Sequence, residues 1–340
     1  MTDINLKKTV AGSGFSRTAW RVLVLICFLA AVIGSGVFSL MKGAMTIPAV
    51  EVMAAVLGKP AGVGGQVIWN IRLPRTLVAG LVGINLAVAG AILQSVMRNP
   101  LADPHIIGIS SGAGLAGVMI LILLPEMEYL VTPAAFIGAM AAACMVYMLA
   151  WKGGIRPVRI ILAGVAVSAF IGAGISALMV FYSDRVHGAL MWMVGGLSAR
   201  SWPHFYIIMP YSIAGGLLAV WYAQKLNVLN LGDDVARSLG LNVEITRLAA
   251  TSLAALLAAS AVSVAGLLGF VGLIVPHAAR LLVGSDYRFM LPASALLGAG
   301  AVIFCDTIAR TLFAPVELPV GIIMAAVGAP FFLYLLRREA

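Results

Sequence analysis

Long stretches without a charged residue alternate along the chain with short polar connections. Nine stretches are long enough to be candidate membrane crossings: residues 22–41, 76–97, 104–125, 129–151, 160–183, 201–224, 248–279, 289–305 and 318–336. A helix of about 20 apolar residues crosses the hydrocarbon of a bilayer, because in lipid each backbone polar group must find its partner within the segment. The pattern therefore predicts an all-α integral membrane protein.

The stretch 248–279 is too long for one ordinary crossing. Gly266, Gly269, Gly272 and Pro276 lie in its second half and offer places for a break. We therefore predict two helices there and about ten in the whole chain. The polar connections are too short for a soluble domain, so residues 1–340 are expected to form a single transmembrane domain.

The basic residues predict the orientation of this domain. Seven of the 22 Lys and Arg residues fall on one side: Lys42, Lys59, Arg72, Arg75, Arg185, Arg200 and Arg310. The other fifteen fall on the side that holds both termini, and loops rich in Lys and Arg stay in the cytoplasm. The tail 1–21, the loop 225–247 and both chain ends are therefore predicted to be cytoplasmic.

Composition agrees with a membrane protein and excludes several other classes. Hydrophobic residues make up 62% of the chain and charged residues 10%, whereas soluble domains carry roughly a quarter charged residues. The net charge of +9 is spread over short loops, so it does not indicate nucleic-acid binding. Nor does the sequence contain a Walker-type phosphate loop or a nucleophile with its base, so the chain is not expected to be an enzyme.

The cysteine and histidine residues give no sign of a metal site. Cys27, Cys144 and Cys305 fall within apolar stretches without ligand or disulfide spacing, and we expect them to be buried and inert. His277 follows Pro276 without a second candidate ligand one helical turn away. We therefore expect no cofactor or metal on this chain.

Seven short runs occur in an order that resembles the FecCD family of ABC importer permeases. They are RLPR at 72–75, GAILQ at 90–94, NPLADP at 99–104, GISSGAG at 108–114, ILAGVA at 161–166, GFVGLIVPH at 269–277 and ELPVG at 317–321. Members of this family import iron-siderophores, haem, cobalamin and related chelates. The resemblance covers nearly the whole chain and implies the type II importer fold in the bacterial cytoplasmic membrane.

The resemblance also implies partners. Permeases of this family work as a homodimer, or a heterodimer of related chains, with two ATPase subunits that bind ATP and Mg and with an extracytoplasmic substrate-binding protein. The loop 231–241 corresponds to the segment that docks on the ATPase. Its expected coupling residues are Asp233, Ala236, Arg237, Leu239 and Gly240. Acidic residues at the start of this loop, Arg237 further on and glycines at both ends predict one or two short capped helices. An ordinary solvated loop is the alternative there.

Two further sets of residues follow from the resemblance. Arg72, Arg75 and Arg310 are expected to lie at outer helix ends with their charged heads in water, where they would receive acidic residues of the binding protein. Asn99 and Leu101, in a turn bounded by prolines, are expected to narrow the cytoplasmic end of the path. One structural alternative stays open, that Arg72 or Arg75 pairs with Glu317. For Asp306 we prefer a pair with Arg310 one turn away.

Two other classes of function are weighed against the permease. An ion-coupled secondary transporter would bury ionisable groups at mid-membrane, and Asp306 alone is a candidate for such a group. A membrane-embedded enzyme needs a convergent polar site, which the apolar stretches do not offer. Among cargoes, an iron-siderophore is the first expectation, with haem or cobalamin as the alternative.

Overall fold

The helices of the protein follow the apolar stretches closely. A computed structural model describes residues 16–43, 45–58, 62–151 and 157–339, so the predicted tail 1–21 lies largely outside the described residues. The described α-helices are α1 (Arg17–Met41), α2 (Ala49–Val56), α3 (Gly62–Val67), α4 (Leu73–Met97), α5 (Ile109–Leu123), α6 (Val131–Ala150), α7 (Pro157–Phe181), α8 (Val186–Val194), α9 (Trp202–Leu229), α10 (Asp233–Ser238), α11 (Val243–Ala265), α12 (Val271–Val283), α13 (Tyr287–Thr311) and α14 (Val320–Glu339).

The prediction of an all-helical membrane protein is confirmed. In the described ranges, seven helical segments are long and apolar enough to span a bilayer, and α5, α12 and part of α14 are shorter apolar helices. The number of about ten crossings stays a prediction, because the shorter helices fall below the length of an ordinary crossing.

Helix α4 forms the centre of the molecule. It is buried along almost its whole length, with α11, α12 and α13 against it, whereas α1 lies at the periphery. Glycines allow this close packing: a Cβ on Gly83 would lie 2.2 Å from Gly298 O, and one on Gly90 would lie 1.9 Å from Gly272 O. Backbones thus touch directly, as small residues permit in membrane helices.

The predicted break in the stretch 248–279 is present. Helix α11 ends at Ala265 and α12 begins at Val271, and Gly266 between them has a φ of +74°, which favours glycine. The N–H of Gly196 donates to Ala265 O across 2.8 Å, so another segment caps the broken end. Pro276, offered as a break point, lies inside α12 instead.

The expectation for the cysteines is wrong for two of the three. Cys305 is buried, but Cys27 and Cys144 are exposed on the surface of the single chain. The apolar stretches that hold them belong to α1 and α6, whose outer faces turn away from the packed centre. An apolar sequence neighbourhood does not distinguish such a face from the core, because both are apolar in a membrane protein.

Candidate functional site

The loop 231–241 contains a short helix with a defined start and end. Gly232, at a φ of +108°, precedes α10, and Gly240, at a φ of +81°, follows it. The N–H groups of Gly240 and Leu241 donate to Arg237 O and Ala236 O, which is the hydrogen-bond pattern of a Schellman motif. The prediction of a short capped helix is confirmed, and Gly240 has a structural reason to be glycine.

One face of this segment is apolar and exposed. Leu231, Val235 and Leu239 are 59%, 46% and 63% exposed. Val235 and Leu239, four residues apart, lie on one side of the helix, and Leu231 precedes the helix. Arg237 is exposed as well, with its guanidinium 3.8 Å from Asp234 and 3.5 Å from Glu244. Exposed apolar side chains on a charged segment are the expected form of a docking surface.

Ala236 does not belong to that surface. Its side chain is fully buried, so the expected role of Ala236 as a contact residue is wrong in this conformation. The physical reason is that one side of even a short helix must pack against the rest of the molecule, and Ala236 lies on that side. Asp233 also turns inward: its carboxylate lies 3.0 Å from the Arg247 guanidinium and 3.4 Å from that of Arg98.

The predicted gate turn lies next to this loop. The side chain of Asn99 accepts from the N–H of Leu101 at 2.9 Å, and Asn99 O accepts from the N–H of Ala102 at 3.1 Å. Asn99 also lines a cavity of about 610 Å³ that Leu231 of the coupling loop and Arg280 of α12 share. Both Asn99 and Leu101 are half-buried, and their role as a gate stays a prediction.

The expectation that Arg72 and Arg310 hold their charged heads in water is wrong. Arg72 is buried and donates to Leu40 O at 2.7 Å and Met45 O at 2.6 Å, and Arg310 donates to both oxygens of Ser39. The carbonyls of Ser39 and Leu40 lie in the last turn of α1, which leaves backbone oxygens without intrahelical partners, and Met45 follows the helix. The guanidinium groups satisfy them.

Arg75 holds a buried ion pair. Its guanidinium donates to both oxygens of Asp306, at 2.9 and 3.0 Å, and to Glu317 at 2.8 Å. Pairing of Arg75 with Glu317 was an open alternative and is confirmed, whereas the preferred pair of Asp306 with Arg310 is wrong. The guanidinium of Arg75 donates one hydrogen bond to each oxygen of the Asp306 carboxylate, and such a bidentate pair is stronger than a single contact with Arg310 one turn away.

Glu317 connects this ion pair to the outer cavity. Its carboxylate accepts a hydrogen bond from Ser198 at 3.0 Å and is 43% exposed. Burial opposes the charged form, but the hydrogen bond and charge of Arg75 outweigh it and hold the pKa of Glu317 below its usual range.

Sequence reasoning missed part of this outer site. A cavity of about 470 Å³ is lined there by polar and aromatic side chains, namely Glu128, Trp192, Ser198, Arg200 and Glu317. Ser198 and Arg200 lie in the connection between α8 and α9, where the only signal is the preceding Gly195-Gly196 pair. Across the described ranges, no three His, Cys, Asp or Glu side chains lie close enough to hold a metal ion.

The two sites lie at opposite ends of α4. Arg75 is in its first turn and Arg98 follows its last residue. A helix of 25 residues is roughly 37 Å long at 1.5 Å per residue, which is about the thickness of a bilayer. Each end of the central helix therefore has its own polar cluster, as a path through a membrane requires.

Comparison with known proteins agrees with this architecture. Residues 29–338 match the model of the FecCD transport family. The chain is 39% identical over 336 residues to the Fe(3+)-citrate import system permease protein YfmE of Bacillus subtilis, covering 98% of this chain and 99% of that protein. It is 45% identical over 273 residues to the cobalamin import system permease protein BtuC of Halobacterium salinarum, covering 80% and 73%.

A solved structure has the same arrangement of helices. It is described as an inward-facing conformation of an ABC transporter assigned to the metal-chelate type, and the two chains superpose with a TM-score of 0.84 at 28% identity. The match covers 93% of this chain and 99% of that one. The chain therefore belongs to the FecCD transport family and is a transmembrane permease subunit of an ABC importer, whose ATPase is a separate chain.

Proposed function

We propose that the protein imports a ferric chelate of the siderophore or citrate type across a bacterial cytoplasmic membrane. The support for this cargo is the extent of the similarity to the iron-citrate relative, which reaches almost from end to end of both chains. The similarity to the cobalamin relative covers less of either chain. Haem or cobalamin is the alternative cargo.

We infer that two permease chains enclose the path and that each carries one ATPase docking surface. The observation that carries this proposal is the exposure of three large apolar side chains, Leu231, Val235 and Leu239, on the segment around α10. Three large apolar side chains facing water on a polar loop are unfavourable unless a partner covers them. ATP and Mg bind to that partner, and both termini of this chain lie on the same, cytoplasmic side.

The charges at the outer end of the protein favour an acidic partner. Three arginines, Arg72, Arg75 and Arg310, lie there with two carboxylates, Asp306 and Glu317, both of which pair with Arg75, so the cluster carries a net positive charge. Direct contact with a binding protein would require these arginines to leave their present partners. We propose that they instead attract acidic residues through their field, which raises the encounter rate more than the affinity.

The gate role of Asn99 and Leu101 follows from their position. Asn99 and Leu231 of the coupling loop line the same 610 Å³ cavity at the inner end of α4, and Leu101 lies in the same turn as Asn99. A turn that moves with the loop would widen or narrow the exit for the cargo. We propose that it closes the cytoplasmic end of the path until the ATPase pair changes state.

Uptake into proteoliposomes tests the cargo. The full transporter, with its ATPase and binding protein, is supplied with ferric citrate, a ferric hydroxamate siderophore, haem or cobalamin. The proposal expects ATP-dependent uptake of iron from one of the two ferric chelates, and none when a non-hydrolysable ATP analogue replaces ATP. Uptake of haem or cobalamin without uptake of either ferric chelate would contradict it.

A further inference from the structure

Asp233, the first residue of α10, joins the coupling segment to two other parts of the molecule. A single oxygen, Oδ1, lies 3.0 Å from Nη2 of Arg247 and 3.4 Å from Nη2 of Arg98. The neighbouring carboxylate, Asp234, is fully exposed and faces only Arg237 at 3.8 Å in the same short helix. Two adjacent carboxylates therefore differ completely in what they touch.

Arg98 is the link to the gate turn. It ends α4 with a φ of +48° and a ψ of +38°, a left-handed conformation that is uncommon for a residue other than glycine. The backbone N–H groups of Arg98 and Asn99 donate to Ser95 O and Gln94 O. The position of Arg98 is thus fixed to the end of α4, and the turn with Asn99 and Leu101 follows it directly.

Arg247 is the link to the packed centre. Only 1% of its side chain is exposed, and it lies in the first turns of α11, which packs against α4. A guanidinium at that depth requires a carboxylate partner, because removing one member of a buried ion pair leaves an uncompensated charge. Asp233 provides that partner, so the start of α10 is held against α11.

A second ion pair, between Arg237 and Glu244 at 3.5 Å, also holds α10 against α11. The helix has six residues, and its exposed side carries Val235 and the adjacent Leu239. Ala236 packs inward but is a small apolar side chain without directional bonds. Of the ion pairs that hold α10, the one between Asp233 and Arg98 leads to the end of α4 and to the gate turn.

We propose that Asp233 is a positioning residue that transmits movement of α10 to the gate turn through Arg98. The proposal rests on the docking of α10 on an ATPase subunit, as inferred above. When the ATPase displaces α10, the shared carboxylate pulls the Arg98 side chain and with it the turn at residues 99–101. Without this carboxylate, α10 still docks and ATP is still hydrolysed, but the gate no longer follows.

The test compares Asp233→Asn with Asp234→Asn, the same substitution at adjacent positions. Three quantities are measured in proteoliposomes: affinity for the ATPase subunit, the rate of ATP hydrolysis, and chelate imported per ATP hydrolysed. We expect Asp233→Asn to keep the affinity but to lower import per ATP roughly tenfold, a typical size for coupling between sites. Asp234→Asn should change none of the three, and Asp233→Glu should restore import per ATP in part.

A second variant keeps the test valid if Asp233→Asn does not fold. Arg98→Gln removes the link to the gate turn but leaves the pair of Asp233 with buried Arg247 intact. It should lower import per ATP as Asp233→Asn does. In a chain whose three cysteines are replaced by serine, a Leu101→Cys reporter should change its labelling rate with ATP, and Arg98→Gln should abolish that change.

The outcomes separate this proposal from the one it rests on. Normal import per ATP in both Asp233→Asn and Arg98→Gln, with ATP-dependent labelling at position 101, would overturn the role of Asp233. Weaker ATPase binding in Asp233→Asn would overturn it as well, since Asp233 would then be a contact residue. If Leu239→Asp left ATPase binding unchanged in the same assay, the docking of α10 itself would be wrong.

Discussion

At the scale of single residues, Arg75 and Asp306 form a buried ion pair with two hydrogen bonds. Only 2% of the Asp306 side chain is exposed, and both of its oxygens accept from Arg75. Replacing Asp306 by Asn removes the buried one of the two carboxylates that compensate Arg75 and leaves the half-exposed Glu317. We expect Asp306→Asn to lower the free energy of unfolding in detergent by about 3 kcal/mol, as is usual when one member of a buried pair is lost.

Asp184→Asn is the matched control for that change. Asp184 lies 3.7 Å from Arg185, and both side chains are largely exposed. An exposed pair of this kind contributes less than about 1 kcal/mol, so its loss should be barely measurable in the same denaturant titration. Equal losses in the two variants would contradict the assignment of Asp306 to a buried structural pair.

The partners of the outer arginines show the limit of sequence reasoning at this scale. The sequence placed Arg72, Arg75 and Arg310 at helix ends, as the structure does, but it did not give the direction of their side chains. Arg75 and Asp306 are 231 positions apart, whereas Arg310 is only four positions from Asp306. Local spacing favours the near partner, and only the packing of α4 against α13 brings the distant one into reach.

At the scale of elements, glycine contacts set the distance between helices. Gly90 faces the backbone of Gly272, where α12 meets α4. We expect Gly90→Ala to lower the free energy of unfolding by about 1–3 kcal/mol, because the added methyl group forces the two backbones apart. Thermal unfolding of the purified protein in detergent measures the effect as a lower midpoint.

Gly216→Ala makes the same change in open space. A Cβ at Gly216 in α9 meets no atom within 4 Å, so the variant should be as stable as the parent, or up to about 1 kcal/mol more stable because alanine favours helix. A fall in midpoint at Gly216 as large as that at Gly90 would show that backbone contact is not the cause.

Sequence reasoning was most successful for the helices and their ends. The apolar stretches correspond to helices, the stretch 248–279 breaks beside Gly266, and the loop 231–241 holds a capped helix, because local backbone chemistry determines each of these features. The sequence did not predict which face of a helix turns inward. In α1 and α6 all faces are apolar, so the exposure of Cys27 and Cys144 depends on packing alone.

At the scale of the whole molecule, two polar clusters at the ends of α4 enclose an apolar interior. The outer cluster joins α4, α13 and the loop before α14, and the inner one joins α4, α10 and α11. A helix of 25 residues between them transmits displacement with little change in length, since its backbone is hydrogen-bonded throughout. The architecture thus suits a subunit that converts ATP hydrolysis elsewhere into movement across a membrane.

The seven ordered sequence runs were most informative about the molecule as a whole. They indicated the family, and the match over residues 29–338 confirms it. The cargo could not be predicted from these runs, because the relatives include an iron-citrate permease and a cobalamin permease with comparable sequence identity. Selection among bulky chelates depends on the shape of a path enclosed by two chains, which no local motif describes.

The most direct test of the account measures ATP hydrolysis and ferric-chelate uptake together in proteoliposomes that carry Leu239→Asp with Arg237→Ala. Loss of an apolar anchor weakens binding by about 2 kcal/mol, roughly thirtyfold in Kd, while a loop that only faces water would lose almost nothing. Leu239→Met, which keeps the apolar side chain, is the control and should transport normally. The account predicts that the double variant inserts and dimerises but loses stimulated hydrolysis and uptake together. Uptake at the normal ATP-dependent rate would contradict it.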